Sequence, residues 1–306
     1  MPTIVGGAAH RADRARPDGT RPAPGTLTRC RRRWSTVLRF TGAAASDRGR
    51  VRDHNEDSAY AGPGLLVVAD GVGGAAAGEV ASATAVYVLS ALALQGAYAD
   101  PLAALRSGVR LAQEQVALGV RLDDRRAGMA TTLTAVLGDG RRFALAHLGD
   151  SRAYVHREGE LVRVTRDHTF VQDLLDDGRL SEREAGTHPW RHVVTRSLGG
   201  DPGETGDLTW LDLRRGDRVL VCSDGLTDMV ADGEIARLLR EHRSDDAAVT
   251  ALVGAANAAG GRDNVTCVLA TVVPGVPQSN EGVLVGAGRD PRLVVDAAAV
   301  HVRRSA

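Results

Sequence analysis

Apolar residues recur along the chain with two periods, which predict a fold of strands and helices. Short runs rich in Val, Leu and Thr and bounded by Gly or Asp predict strands. These runs are Leu65 to Ala69, Thr131 to Leu137, Phe143 to Leu148, Ala153 to Arg157, Arg218 to Cys222 and Val265 to Val273. Apolar positions three and four residues apart predict helices. These cover Gly78 to Leu94, Pro101 to Leu122, Phe170 to Asp177, Asp232 to His242 and Asp245 to Ala259.

Two tight-turn signals indicate how neighbouring strands are joined. Gly138 to Gly140 separates one pair of strand-like runs, and Glu158 to Glu160 separates another. Strands joined by such turns are antiparallel, and the long helices come in pairs rather than after every strand. The pattern therefore predicts α+β layers rather than a doubly wound parallel sheet.

The periodic pattern is confined to the middle of the chain. Residues 1–33 are rich in Arg, Pro, Gly and Ala, and we expect a disordered Arg-rich tail. Residues 34–274 are expected to form one domain, because 306 residues with 43% hydrophobic content can bury one sizeable core. Residues 275–306 lose the pattern again and predict a mostly disordered tail with one strand-like run at Val283 to Val285.

Composition limits the classes of partner. The 38 basic residues, all Arg, balance 38 acidic ones, so no overall field favours nucleic acid or a membrane surface. No run approaches the roughly 20 apolar residues of a membrane span, and the start lacks the apolar region of a signal peptide. Cys222 and Cys267 lie in apolar runs and are expected to be small core residues. We expect a cytoplasmic monomer.

Acidic residues stand at the ends of several strand-like runs. Asp70 directly follows Leu65 to Ala69, the same construction recurs at Asp150 and Asp224, and it appears in reverse at Asp263. A buried strand fixes the direction of the carboxylate that emerges at its end. Mg²⁺ and Mn²⁺ prefer carboxylate, carbonyl and water oxygens. These turns therefore predict a multi-metal hydrolytic site.

In their order along the chain, these motifs resemble the metal-dependent serine/threonine protein phosphatases, the PPM or type 2C family, particularly bacterial members that oppose Hanks-type kinases. The resemblance runs from about Leu38 to Val273 and implies a four-layer αββα sandwich, with two antiparallel sheets flanked by helices and metals at one end. The segments that carry it are Ser46 to Gly49, Arg52 to Asp57, Asp70 to Ala81, Gly128 to Thr132, Gly149 to Tyr154, Asp167 to Thr169, Cys222 to Asp228 and Asp263 to Thr266.

The resemblance also implies the ligands of two Mn²⁺ or Mg²⁺ ions and of a third, weaker one. Asp70 would bridge two metals while Gly71 contributes its carbonyl, and Asp224 and Asp263 would complete the first site. Asp150 matches a carboxylate that serves the third ion. Two divalent ions about 3.5–4 Å apart activate a bridging water or hydroxide for in-line attack on a phosphoryl group, so no protein nucleophile is needed.

Three further residues match functional positions of the family. Glu56 and Asp57 match the acidic pair that holds metal-bound waters or supports the shell of water around the metals. Arg52 matches the phosphate-binding arginine, and its guanidinium presents forked donors that suit a dianionic phosphate. We expect Arg52 and Asp70 to be the catalytic residues, with Arg52 also binding substrate.

Several positions remain open at this point. Some family members carry a proposed general acid two residues after the bridging aspartate, and here that residue is Val72, which has no proton to donate. His54 is either its substitute or a surface or packing residue. His147 is expected to be a hydrogen-bonded core histidine. Asp167 to Arg196 is either a mobile flap that selects phosphopeptides or a plain surface helix pair, with a helix cap expected at Ser181.

The predicted function is metal-dependent hydrolysis of phosphoserine and phosphothreonine in proteins. The expected partners are phosphorylated proteins, namely Ser/Thr kinases and their substrates, and neither nucleic acid nor membrane. One alternative is a pseudophosphatase that binds phosphoproteins without turnover, but Asp70, Asp224 and Asp263 are all present. The other is a stress-response phosphatase acting on anti-sigma-factor antagonists. Such proteins commonly carry sensor domains, for which neither tail is expected to be long enough.

Overall fold

The computed structural model describes residues 37–72, 77–95, 98–201, 203–277 and 282–300. The strands within these ranges are β1 Leu38–Asp47, β2 Ser58–Ala61, β3 Leu65–Ala69, β4 Gly71–Val72, β5 Ala130–Thr131, β6 Leu133–Gly138, β7 Phe143–Leu148, β8 Arg152–Arg157, β9 Glu160–Arg163, β10 Asp207–Leu211, β11 Arg218–Cys222, β12 Val265–Pro274 and β13 Val283–Gly286. The α-helices are α1 Gly78–Leu94, α2 Pro101–Leu122, α3 Phe170–Asp176, α4 Glu182–Thr187, α5 Asp224–Thr227, α6 Asp232–Glu241 and α7 Asp245–Ala258. Short 3₁₀ helices cover Asp124–Arg126, Ala287–Arg289 and Pro291–Leu293. The N-terminal tail expected at residues 1–33 lies outside the described residues.

Two antiparallel sheets form the centre of the fold. One has the order β1-β12-β11-β8-β9 and the other β10-β7-β6-β3-β2-β13, while β4 and β5 make a separate short ladder. Side chains from both sheets fill the space between them, among them Phe40 and Val268 from the first and Leu66 and Val136 from the second. This arrangement confirms the two-sheet sandwich expected from the resemblance.

Helices cover the outer face of each sheet. Leu89 of α1 and Leu105 of α2 pack on Leu65 and the other outward residues of the six-stranded sheet. On the other side, Leu252 of α7 packs with Leu269 of the five-stranded sheet. The fold therefore has four layers. In the described part of the chain, no helix is long and apolar enough to cross a membrane.

The helices and strands predicted from periodicity are present, with small shifts at their ends. The strand predicted from Thr131 is interrupted at Thr132, because the chain there bonds to the backbone of Asp70 rather than to a neighbouring strand. Cys222 and Cys267 are buried opposite each other in the β11–β12 ladder, as expected for small core residues.

The segment after Pro274 differs from the expectation of a mostly disordered tail. The strand-like run at its start forms β13, which pairs with the edge strand β2. The residues that follow pack along α1, where the Tyr87 hydroxyl donates to the carbonyl oxygen of Ala297 at 2.7 Å, and Val300 is buried. Its apolar side chains show no period, because they contact the domain from an irregular backbone.

His147 is a buried, hydrogen-bonded histidine of β7, as the sequence predicted. Its Nε2 lies 2.8 Å from the carbonyl oxygen of Arg166, which can only accept, so Nε2 carries the hydrogen. Its Nδ1 then accepts from Thr134 Oγ1 at 2.9 Å. Burial, and secondly the neighbouring His168, lowers the pKa of His147 to about 4.

We expect His147 to reduce stability as the pH falls from 6.5, its ordinary pKa, to about 4. In that range the unfolded chain binds a proton at this position and the folded chain does not. Lowering the pH therefore reduces the free energy of unfolding, by about 3 kcal/mol over the whole range. The measurement is the free energy of unfolding in urea for the wild type and His147→Gln at pH 7 and pH 4.5. The free energy of unfolding of the wild type minus that of the variant should be smaller at pH 4.5 than at pH 7. An unchanged difference would contradict the lowered pKa of His147.

Candidate active site

The acidic residues singled out in the sequence converge at one cavity of about 710 Å³. Strand ends from both sheets deliver them, so residues far apart in the chain become neighbours. The residues of the predicted site that line the cavity are Arg52, Glu56, Asp70, Gly71, Asp150, Asp224 and Asp263. Asp57 completes the predicted set and lies fully buried just before β2.

The backbone of Asp70 is fixed by two threonines at the interruption between β5 and β6. The Asp70 N–H donates to Thr132 Oγ1 at 3.0 Å. Its carbonyl oxygen accepts from the Thr131 hydroxyl and from the Thr132 N–H, each at 2.8 Å. These bonds set the direction in which the Asp70 carboxylate leaves the end of β3.

Gly71 allows two backbone segments to meet at this turn. A Cβ on Gly71 would lie 2.5 Å from the carbonyl carbon of Gly78, and one on Gly78 would lie 2.4 Å from Glu56 Oε2. The start of α1 therefore packs directly against the turn after Asp70. The resemblance implies a ligand role for the Gly71 carbonyl, and the close contact with α1 is a separate reason for glycine at this position.

Asp224 and Asp263 are brought together by a similar close approach. Asp224 begins α5 and is separated from β11 by Ser223, and Asp263 is separated from β12 by Asn264. A Cβ on Gly225 would lie 1.9 Å from the carbonyl oxygen of Asn264, so only glycine fits where the two turns touch. Arg52 Nη2 donates to Asp263 Oδ2 at 2.8 Å, which places the guanidinium at the same cavity.

Asn264 organises the loop that carries Arg52 and Glu56, a role that the sequence analysis did not assign. Its Nδ2 donates to the carbonyl oxygens of Arg48 and His54 at 3.0 and 2.8 Å. Its Oδ1 accepts from the Glu56 N–H at 2.8 Å. An asparagine directly after a predicted ligand is the only signal in the sequence, since its three partners lie more than two hundred positions away.

Asp57 connects the two sheets behind the cavity. Its Oδ2 accepts from the Ser223 hydroxyl at 2.8 Å, and Ser223 Oγ in turn accepts from the Thr266 N–H at 3.0 Å. Its Oδ1 is buried and has no hydrogen-bond partner in the described part of the chain. Burial raises the pKa of Asp57 to about 6. An unpartnered buried carboxylate oxygen is costly, and the hydration shell of a cation would satisfy it.

The other carboxylates also show the effect of crowding. Burial, followed by repulsion from neighbouring aspartates, raises the pKa values of Asp70 and Asp224 well above their usual range. Burial and then Asp167 raise the pKa of Asp150 to about 7, and burial also raises the pKa of Glu56. The arginines that line the cavity do not offset this crowding, and a donor set of carboxylate oxygens fits hard divalent cations.

The segment from Asp167 to Arg196, which the resemblance matched to a flap, forms one wall of the cavity. It contains α3 and α4, and Ser181 begins α4 with the full capping box expected for its sequence. Its ends are joined by a bridge between Thr169 and Val194.

A histidine of this segment lies beside the predicted ligands. His192 Nδ1 is 3.2 Å from Asp228 Oδ2, and the ligand atoms of His192, Asp224 and Asp228 all lie within 4.8 Å of one another. No specific role for His192 or Asp228 was evident from the sequence. By contrast, His54 is exposed and is absent from the cavity lining, whereas Val72 lines it.

Known proteins share both the sequence and this architecture. Residues 42–269 match the family model described as Protein phosphatase 2C. The serine/threonine protein phosphatase PstP of Mycobacterium tuberculosis strain H37Rv is 45% identical over 265 residues, which cover 86% of this chain and 51% of that protein. The serine/threonine phosphatase stp of Listeria monocytogenes strain EGD-e is 33% identical over 238 residues, which cover 73% of this chain and 92% of that protein.

A solved structure matches as well. The crystal structure of the catalytic domain of PstP in complex with two manganese ions superposes with a TM-score of 0.72 at 44% identity, covering 77% of this chain and 99% of that one. This chain belongs to the protein phosphatase 2C family, which confirms the resemblance seen in its motifs. It spans only about half the length of its mycobacterial relative.

The contact between Gly225 and Asn264 can be tested directly. Gly225→Ala should lower the free energy of unfolding by about 1–3 kcal/mol, because the added carbon forces α5 away from Asn264. The matched control is Gly233→Ala in α6, where an added Cβ meets nothing within 4 Å. That control should be neutral or stabilising by up to about 1 kcal/mol. Equal effects in urea unfolding would contradict the proposed contact.

Proposed function

We propose that this chain hydrolyses phosphoserine and phosphothreonine monoesters in proteins with the help of Mn²⁺ or Mg²⁺. The observation that carries the proposal is the convergence of buried carboxylates, crowded enough to raise their pKa values, with Arg52 at one cavity. Membership of the protein phosphatase 2C family and the names of the mycobacterial and Listeria relatives support it.

The proposed ligands are those that the family resemblance implies, and all of them line the cavity. Asp70, the carbonyl of Gly71, Asp224 and Asp263 would hold two ions, and Asp150 would serve a third. The related PstP catalytic domain was solved with two manganese ions, which supports the first two of these three ions. Divalent ions, when bound, lower the pKa of water and neutralise phosphoryl oxygens.

Glu56 and Asp57 would support the metal centre from the side and from behind. Glu56 lines the cavity, while Asp57 is buried with one oxygen bound by Ser223 and the other without a partner. These positions support a role in accepting hydrogen bonds from water around bound ions rather than in contacting the phosphate.

Arg52 would bind the phosphate. Its side chain is about half exposed (51%) at the edge of the cavity, and its bond to Asp263 holds the guanidinium there. Forked N–H donors match two phosphate oxygens and orient the monoester in front of Asp70. Val72 supplies no proton to the departing serine or threonine oxygen, so we assign no side chain of this chain as a general acid.

The proposed partners are phosphorylated proteins, in particular Ser/Thr kinases and their substrates. The balanced charge supports protein substrates over nucleic acid. We propose a monomer that acts in the cytoplasm, on the basis of the sequence alone.

Asp224→Asn should abolish most of the activity. We expect hydrolysis of p-nitrophenyl phosphate and of a phosphothreonine peptide to require Mn²⁺ or Mg²⁺ and to stop in EDTA. The variant should lose at least about 100-fold in kcat/KM, because even residues outside the ligand shell alter metal sites by about 10–100-fold. A folded wild type that shows no turnover with either metal would instead favour a phosphoprotein-binding module.

Arg52→Lys should weaken phosphopeptide hydrolysis while leaving the fold intact. The lysine keeps the charge but loses the paired N–H donors, so kcat/KM should fall by about 10–100-fold. The control is Arg110→Lys on the exposed surface of α2, which should change nothing. If both variants behave like the wild type, Arg52 does not bind the phosphate.

A further inference from the structure

Residues 282–300, here called the C-terminal strap, lie beyond the 42–269 range that matches the family model. The strap begins with β13, which adds an edge strand to the six-stranded sheet in register from Val283 opposite Ala61 to Gly286 opposite Ser58. It then turns onto α1. The strap is therefore a part of this chain that the family match does not account for.

The strap is held along α1 by polar and apolar contacts. The Val295 N–H donates to Thr84 Oγ1 at 3.1 Å, and the Tyr87 hydroxyl binds the carbonyl oxygen of Ala297. Leu293 and Val295 pack on a cluster between α1 and α2, and Val300 is buried in the main core. Burial of these side chains offsets the entropy lost when the strap is ordered.

Between β13 and α1 the strap passes directly behind Asp57. The Ala287 N–H donates to the carbonyl oxygen of Asp57 at 2.8 Å. Gly286 has φ +69°, and a Cβ there would lie 2.1 Å from the same oxygen. Both its backbone conformation and this contact therefore require glycine, which lets the strap approach close enough for the hydrogen bond.

The same short segment is held from two other directions. The Ser82 hydroxyl of α1 donates to the carbonyl oxygen of Glu56 at 2.5 Å, and Asn264 Oδ1 accepts from the Glu56 N–H at 2.8 Å. The strap supplies the corresponding bond to Asp57. The direction of the Asp57 carboxylate depends on its own peptide groups, so the strap acts on the edge of the cavity without lining it.

We propose that the C-terminal strap is a positioning element of the metal centre, in which the Ala287 N–H fixes the peptide group of Asp57 and so aims its carboxylate. The inference rests on the proposed function, because Asp57 is assigned there to support bound ions. Strap docking and metal binding are then coupled, and each must strengthen the other by the same factor.

The first test uses the full chain with Ala287→Pro, which removes the N–H at the first position of a 3₁₀ helix, where proline is tolerated. Ala287→Ser, which keeps the N–H, is the matched control. Titration calorimetry with Mn²⁺ should show about tenfold weaker binding for the proline variant and unchanged binding for the serine variant. Saturating Mn²⁺ should restore hydrolysis of p-nitrophenyl phosphate.

The outcomes separate this inference from the proposed function. A wild type that binds no Mn²⁺ overturns both. If the wild type binds Mn²⁺ and the proline variant binds it equally well, the strap inference alone is overturned. This holds even if the variant melts at a lower temperature, because a lower melting temperature without a change in Mn²⁺ affinity shows only that the strap contributes to packing.

A second test needs no variant and covers the case in which Ala287→Pro fails to fold. Hydrogen exchange of strap peptides in the wild type, followed by mass spectrometry, should slow by about tenfold when Mn²⁺ is added, as the reciprocity requires. Peptides from β9, at the opposite edge of the other sheet, serve as the control. Strap exchange that does not respond to Mn²⁺ overturns the inference.

Discussion

The mutual repulsion of buried carboxylates is the constraint on which the rest of this structure depends. Asp57, Asp70 and Asp224 are each held where burial and neighbouring negative charge oppose ionisation. Flexible side chains on loops would move apart to relieve this repulsion. Here the carboxylates stand at the ends of strands that are packed on both faces, so the energy of the sandwich holds them together until cations compensate their charge.

Contacts between the two sheets make the arrangement rigid. Asp57 precedes β2 in the six-stranded sheet, and its partner Ser223 follows β11 in the other. Asn264, just before β12, binds the loop that leads to β2. The cavity is thus built across the open end of the sandwich, and displacement of one sheet relative to the other would change the spacing of the proposed ligands.

Elements outside the sandwich act on this site from two sides. The segment that contains α3 and α4 forms a wall in front and brings His192 next to Asp228. The C-terminal strap runs behind and reaches the backbone of Asp57. Both elements therefore contact the site from outside the two sheets that carry the acidic residues.

The sequence by itself determined most of the regular elements and the acidic motifs. Runs rich in Val and Leu and helical periods mark residues that become buried, and a carboxylate at the end of such a run can be recognised locally. It did not reveal β1, whose Ala- and Gly-rich sequence is a strand only because β12 pairs along its whole length. Nor did it assign a role to Asn264 or to the C-terminal strap. Their roles come from hydrogen bonds to residues about two hundred positions away, and only the tertiary structure decides which distant groups meet.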